Sequence, residues 1–183
     1  MFWAYLIVLF LHFSPFLFLL CVPSNSLANK EDIKYEICQY LPQAVQNVAC
    51  PLEQTLAVIK PDGMASQSLV MAMIKQRGFN VLAEKQVQLS PAAVAEWYHD
   101  KIGRDFYPSL EAYLTRGPCY AIILQRVDAI KGLRRLVGPT NPEQARQVAP
   151  RSVRAHIGTS IQENAIHASD SGEAFRREKK LLF

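Results

Sequence analysis

Thr55-Leu56-Ala57-Val58-Ile59-Lys60-Pro61-Asp62-Gly63 reads TLAVIKPDG. Its first half is a short β-branched and aliphatic run, the signature of a buried strand. Lys60-Pro61-Asp62-Gly63 ends that run, because the residue before a proline is held extended and the following turn needs small or polar residues. A compact domain therefore starts near Gln54, and the stretches around it must supply the strands that pair with this one.

Working outward, Leu69, Met73 and Ile74 mark a helix face that ends near Gly78. Phe79 to Leu89 reads as a second strand. Ser90-Pro91 opens a helix to about His99, as an N-cap followed by a first-turn proline. The stretch DKIGRDFYPS, residues 100–109, reads as a loop. Leu110 to Leu114 suggests a helix that stops before Gly117-Pro118. Cys119 to Gln125 is a third strand, and Val127-Asp128 leads into a helix that runs through Val137 and closes at Gly138. Thr140 to Ile157 shows no clear periodicity and reads as a long, arginine-rich loop, a length usually kept for function. Ile166-His167 is a last short strand. Asp170, with Glu173 three residues on, predicts a capping-box start to a final helix carrying Phe175 and Glu178. The order is an α+β, ferredoxin-like βαββαβ antiparallel sheet with helices packed on it.

The chain of 183 residues fits one domain with appendages. Phe2 to Val22 is apolar except for His12, Ser14 and Pro15 and carries no Asp, Glu, Lys or Arg, and Ser26-Leu27-Ala28 offers small residues before a cleavage point. Residues 1–28 thus read as a signal peptide, or as a signal anchor if uncleaved, and imply the secretory pathway, a membrane association following only in the uncleaved case. Residues 29–53 read as an extension and linker: Ile33, Ile37 and Leu41 recur at near-helical spacing until Pro42. The main domain occupies 54–183. Cys38 and Cys50 either pair in an oxidising compartment or remain two thiols. Cys119, inside an apolar strand, reads as a buried thiol. The net charge of +4 is mild and predicts no nucleic-acid partner. Arg126, Arg134, Arg135, Arg146, Arg151 and Arg154 nevertheless crowd one region. They form either a solvated basic face or a phosphate site, since guanidinium forks match phosphate geometry. Neither Cys/His spacing nor histidine clustering suggests a protein-bound metal.

Asn164 to Ser171, NAIHASDS, sets His167 at a strand end facing a helix start, where unpaired N–H groups favour anions. Alone, that histidine is either a base or nucleophile aimed at phosphate, or a satisfied core residue. Lys60-Pro61-Asp62-Gly63, Tyr98, Arg104 with Phe106, Arg134, Gly138-Pro139-Thr140-Asn141-Pro142, Arg154 and the histidine octapeptide, in this order, resemble nucleoside diphosphate kinases from Gln54 to Phe183. The resemblance implies a ping-pong reaction. A nucleoside triphosphate such as ATP would phosphorylate His167, and the phosphohistidine would pass the group to a nucleoside diphosphate. It implies a catalytic set of His167, Lys60, Tyr98, Ser169 and Glu178, with Ser169 and Glu178 orienting the imidazole and Tyr98 beside it. It implies nucleotide binding by Lys60, Arg104, Phe106, Arg134, Thr140, Arg154 and Asn164: Phe106 stacks on the base, Asn164 and Lys60 reach the sugar, and the cations and Thr140 hold the phosphates. Magnesium (Mg2+) is expected through the nucleotide phosphates, without protein ligands of its own. The alternative is a weak or inactive domain of this fold kept for interaction.

Three features depart from the family pattern. Ala168 stands where glycine usually follows the histidine, and its methyl group is expected to crowd the site or to disfavour an unusual backbone angle. The stretch from Glu143 to Pro150 is longer than in common members. The family usually continues past the position of Phe183 with a tail that serves subunit contacts, so a homo-oligomer is expected in a smaller form, or a monomer.

Overall fold

A computed structural model describes residues 30–183; the signal-like stretch lies outside the described residues. The elements are α1 (Lys30–Gln39), α2 (Gln43–Ala49), β1 (Leu52–Ile59), α3 (Gln67–Gln76), β2 (Asn80–Val87), α4 (Pro91–Trp97), α5 (Tyr107–Thr115), β3 (Cys119–Val127), α6 (Ala129–Val137), α7 (Pro142–Val148), α8 (Val153–Ile157), β4 (Ile166–Ala168) and α9 (Gly172–Leu182). The strands form one sheet in the order β2-β3-β1-β4. Every pairing is antiparallel. This is the expected ferredoxin-like architecture.

The two central strands show why. Successive side chains of a strand point to opposite faces. Ala57 and Ile59 of β1, with Ile122 and Leu124 of β3, pack under α3 and α6 against Val70, Ile74, Leu133 and Leu136. Leu56 and Val58, with Ala121 and Ile123, pack on the other face against Val94, Trp97, Leu110, Leu114, Phe175 and Leu182 of α4, α5 and α9. Both faces are dry, so β1 and β3 read as continuous apolar runs. The outer strand β2 alternates instead, and the sheet bulges there between Val81 and Ala83.

Three expectations need correction. The 140–157 stretch is not a loop throughout, since it holds α7 and α8. Asn141 caps α7 by accepting from the Glu143 N–H at 2.9 Å, and Ser152 caps α8 by accepting from the Ala155 N–H at 3.4 Å. The 100–109 loop is also shorter than expected, because α5 begins at Tyr107. The N-cap of α9 is Ser171, whose Oγ accepts from the Ala174 N–H at 3.1 Å, and not Asp170.

The extension folds as α1 and α2, and a Cys38–Cys50 disulfide with Cα atoms 6.0 Å apart ties their ends. Both sulfur-bearing residues pack on Val127. Lys34 reaches Asp128 at 3.1 Å. Arg126 is 2% exposed, with its guanidinium between the rings of Tyr35 and Phe79. It therefore belongs neither to a solvated face nor to a phosphate site.

Candidate active site

β4 carries His167 along one border of the sheet, opposite Val58 of β1. The Ser169 N–H extends that border by donating to the Leu56 carbonyl at 3.0 Å. Two residues on, Ser171 starts α9, and its second turn returns Glu178 to the histidine. Glu178 Oε1 lies 2.9 Å from His167 Nε2, and the Ser169 hydroxyl donates to Oε2. The Trp97 indole N–H, from the end of α4, donates to Oε1 at 3.2 Å. Burial pushes the Glu178 carboxyl up, but the His167 contact and the Ser169 and Trp97 donors outweigh it and hold the carboxyl below its usual range. An ionised carboxylate is acceptor-only, so Nε2 carries the proton. His167 Nδ1 has no protein partner among the described residues, and the ring lines a cavity of about 540 Å³.

The approach to the histidine is a forced turn. The Ile166 N–H donates to the Asn164 carbonyl at 2.8 Å across Ala165, whose φ is +67°. That is a γ-turn pattern, and a left-handed alanine costs roughly 1–2 kcal/mol. Asp62 braces it. One carboxylate oxygen accepts from the Ala165 N–H at 2.8 Å, and the other accepts from the Tyr113 hydroxyl. The Lys60 N–H also donates to the Ala165 carbonyl at 2.8 Å. A Cβ on Gly63 would lie 2.5 Å from that carbonyl, so the turn after β1 must be glycine there. The unusual backbone angle thus falls at Ala165. Ala168 lies in extended β4, and the expectation of backbone strain at Ala168 is corrected accordingly.

The cationic side of the cavity has a buried layer and an exposed one. Lys60 is buried, and its ammonium donates to Asn164 Oδ1 at 2.8 Å. The Asn164 amide in turn donates to the carbonyls of Thr140 and Ile161, at 3.1 and 2.7 Å. Burial, with Arg154 nearby, lowers Lys60 to about 8. Arg154 donates to the Gly138 and Ile166 carbonyls at 2.8 and 2.9 Å. Burial chiefly, and the charge of Arg134, lower it to about 10. Two cations held close in a partly dry site favour an anion between them. Arg134, Arg135, Thr140, Ala168 and Asp170 line the cavity along with Arg154 and His167. Arg146 instead bonds the Gly158 carbonyl at 3.2 Å and so fastens α7 to α8.

Of the expected site residues, His167, Arg134, Thr140 and Arg154 share the cavity, and Lys60, Asn164, Ser169 and Glu178 are bonded into its walls. Tyr98 sits behind: its ring packs on Trp97 at 5.2 Å, while Trp97 itself meets the His167 ring edge-on at 4.9 Å. Burial and the Glu178 charge push the Tyr98 phenol up, so it stays protonated. Arg104 and Phe106 are exposed on the segment between α4 and α5 and do not line the cavity. The first turn of α5, which follows them, is tied to the Asn164 loop through Ser109 and Gln162, at 2.8 and 3.1 Å. Sequence reasoning missed Trp97 and the site roles of Asp62 and Asp170, while Arg135 was in view only within the arginine cluster. Asp62 was in view as a turn residue, and Trp97 carried no signal beyond its helix position.

The donor set bears on magnesium. Among the described residues no three carboxylate, histidine or cysteine groups gather as a metal cluster. Arg134, Arg135 and Arg154 line the cavity, against the Asp170 carboxylate. Such a lining suits a cation delivered on phosphate oxygens rather than a bare one.

Known proteins resemble this chain in sequence and fold. The sequence model of the family described as Nucleoside diphosphate kinase matches residues 53–183. The nucleoside diphosphate kinase of Aquifex aeolicus is 40% identical over 134 residues, which are 72% of this chain and 94% of that protein. A crystal structure of that Aquifex protein superposes with a TM-score of 0.69, covering 72% of this chain and 95% of the other. Human Nucleoside diphosphate kinase homolog 5 is 37% identical over 132 residues, 72% of this chain and 62% of its own. Thioredoxin domain-containing protein 3 homolog of Ciona intestinalis is also 37% identical, but the match spans only 20% of it. With a family match over most of its length and a relative of that identity covered almost end to end, the chain belongs to the nucleoside diphosphate kinase family.

Proposed function

We propose that the protein is an active nucleoside diphosphate kinase working through a phosphohistidine at His167 Nδ1. The observation that carries this reading is the Glu178 contact on Nε2, which leaves the Nδ1 lone pair toward the cavity. The lone pair attacks the γ-phosphorus of a nucleoside triphosphate. An N–P bond forms, the bond from the γ-phosphorus to the bridging oxygen breaks, and its electron pair leaves with the diphosphate. As the N–P bond forms, positive charge grows on the imidazole. Glu178 stabilises it through Nε2–H, as a buried carboxylate does for other catalytic histidines. A second nucleoside diphosphate then takes the group by the reverse path.

Phosphoryl transfer asks a protein for positioning and charge stabilisation more than for covalent chemistry. Arg154 and Lys60 suit the phosphate side, Arg134 and Thr140 its outer edge, and Lys60 with Asn164 the sugar hydroxyls. Phe106 and Arg104 suit the base and outer phosphates, and a ring that stacks on any base fits broad nucleotide use. Magnesium, when bound on the nucleotide, neutralises phosphate charge, with Asp170 as the lining carboxylate available to it. The family binds nucleotides and commonly oligomerises. A secretory address is part of the proposal, and the Cys38–Cys50 bridge supports it, since such bridges persist in oxidising compartments.

Incubation with a γ-labelled nucleoside triphosphate is expected to leave acid-labile phosphate on the protein. His167→Ala should carry none and show no exchange above background. Near-normal transfer by His167→Ala would sink the mechanism. A wild-type chain that never takes the label would favour the interaction-domain alternative, with its guanidinium-lined cavity as the contact surface.

A further inference from the structure

We propose that Trp97 is a positioning residue for this reaction, its indole N–H and ring edge together fixing Glu178 and His167 so that the imidazole keeps one tautomer and one plane. The inference rests on the phosphohistidine reading of the site. Trp97 is 4% exposed at the end of α4, the helix that packs on α9. Its Nε1–H donates to the same Glu178 oxygen, Oε1, that holds His167 Nε2. Its ring meets the imidazole edge-on, with planes 80° apart. A buried indole needs some acceptor for its N–H, and a backbone carbonyl would serve. Here the acceptor is the carboxylate that orients the nucleophile. Trp97 does not line the cavity, so it acts through Glu178 and the ring and not on the nucleotide.

The consequence is electrostatic. Glu178 is 3% exposed, and a carboxylate there stays ionised only while donors satisfy it. Trp97 is one of three, with His167 and Ser169. Removing it makes Glu178 easier to protonate. A protonated Glu178 no longer needs the Nε2 proton, and the tautomer that leaves Nδ1 free is no longer enforced. The other charged or titratable groups facing this pair are Tyr98 just after α4, Arg154 from α8, Arg134 and Arg135 from α6, and Asp170 after β4. Beside them, β1 contributes apolar side chains and the Leu56 carbonyl.

The test is Trp97→Phe in the otherwise unchanged chain, since phenylalanine keeps a ring and deletes the donor. The acid limb of kcat/KM should move up by about half a pH unit or more. At pH 6.5 kcat should fall roughly threefold, recovering toward pH 8.5, with KM nearly constant, the pattern of an interaction made in the transition state. The imidazole Nε2–H resonance, followed by NMR, should weaken over the same range. A superimposable pH profile and an unchanged Nε2–H signal would overturn the proposal and leave Trp97 as core packing. If the variant does not fold, the wild-type chain still decides. Besides Trp97 the sequence has only Trp3, so the Trp97 indole N–H is assignable. It should titrate with the acid limb, and a pH-invariant resonance overturns the proposal. A wild type without phosphotransfer refutes the kinase reading instead, while the two NMR measurements still judge the position of Trp97.

Discussion

The buried floor of the proposed site, behind the cavity wall, and its exposed rim, which runs beyond the cavity lining to Arg104 and Phe106, are built differently. On the floor, Lys60, Asn164 and Glu178 are 6, 2 and 3% exposed, and each is already bonded to a protein group. Arg154, half-buried, is latched to two backbone carbonyls. On the rim, Phe106 is 51% exposed, and Arg104, Arg134 and Thr140 are exposed as well. The floor is preorganised before any nucleotide arrives. In the phosphohistidine reading its groups would act at full strength in the transition state, because nothing would have to reorient. Rim groups reach their geometry only with a ligand. The same residue type should therefore give different losses in the two places.

The arginines offer the sharpest contrast. Arg154→Ala removes a preorganised donor and two backbone latches, so kcat should fall about 100- to 1,000-fold and the melting temperature should drop with it. Arg134→Ala removes a rim cation with no protein hydrogen bond among the described residues, so the rate should fall roughly 10- to 100-fold with melting unchanged. Steady-state kinetics and calorimetric melting decide. Equal losses of stability in the two variants would erase the distinction between floor and rim.

Lys60 gives the floor a pH signature. Its ammonium is half-titrated near pH 8, because burial and Arg154 disfavour the charge. A bound polyphosphate restores that charge. Nucleoside diphosphate binding at pH 8 should thus take up about half a proton, measurable by titration calorimetry in buffers of different ionisation enthalpy. Lys60→Gln should lose the uptake and bind roughly tenfold more weakly. The stability sign follows as well. Between pH 8 and 10.5 the unfolded chain holds the Lys60 proton and the folded one does not, so this group makes stability rise with pH across that window. Uptake that persists in Lys60→Gln would assign it to another group.

What was legible in the sequence follows the same division. The strands were readable because a buried strand writes itself as an apolar run, and β1 and β3 are buried on both faces. The helices α7 and α8 were missed although Asn141-Pro142 and Ser152 are ordinary start signals. They are too short to display a period, and arginines dominate their composition. The histidine was legible only in part: the octapeptide placed it at a strand end before a helix, but its Nε2 partner lies in the second turn of α9 and needs the folded chain. Trp97 and Asp62 were invisible as site residues, since an indole N–H or a turn carboxylate reveals its partner only in three dimensions. Arg104 and Phe106 owed their place to the family resemblance alone.

Phe106 tests the rim at its weakest. An exposed ring that stacks on a base holds ground state and transition state alike. Phe106→Ala should raise KM roughly tenfold for every nucleotide and leave kcat alone. A fall in kcat with constant KM would mean that the ring is part of the preorganised set, and the rim would not end where its exposure suggests.

Ala168 lies between the two regions, lining the cavity while its methyl packs on the core beneath. The family's glycine at this place invites the idea that alanine would slow the proposed reaction. Two mechanisms could do so, and the structure separates them. Backbone strain is not available, because Ala168 pairs with Ala57 in extended β4 and the left-handed residue is Ala165, three positions earlier. Crowding would require the methyl to meet the phosphate, yet it rests against apolar side chains of the core. Ala168→Gly should then cost stability: roughly 0.5–1 kcal/mol for glycine in a strand, and less than about 0.8 kcal/mol for a half-buried methyl. The rate should stay within about twofold. Denaturant melting and single-turnover phosphorylation of His167 measure the two separately. Faster phosphorylation in Ala168→Gly, with stability unchanged, would show that the methyl does reach the transferring group and that the floor itself is imperfectly shaped for it.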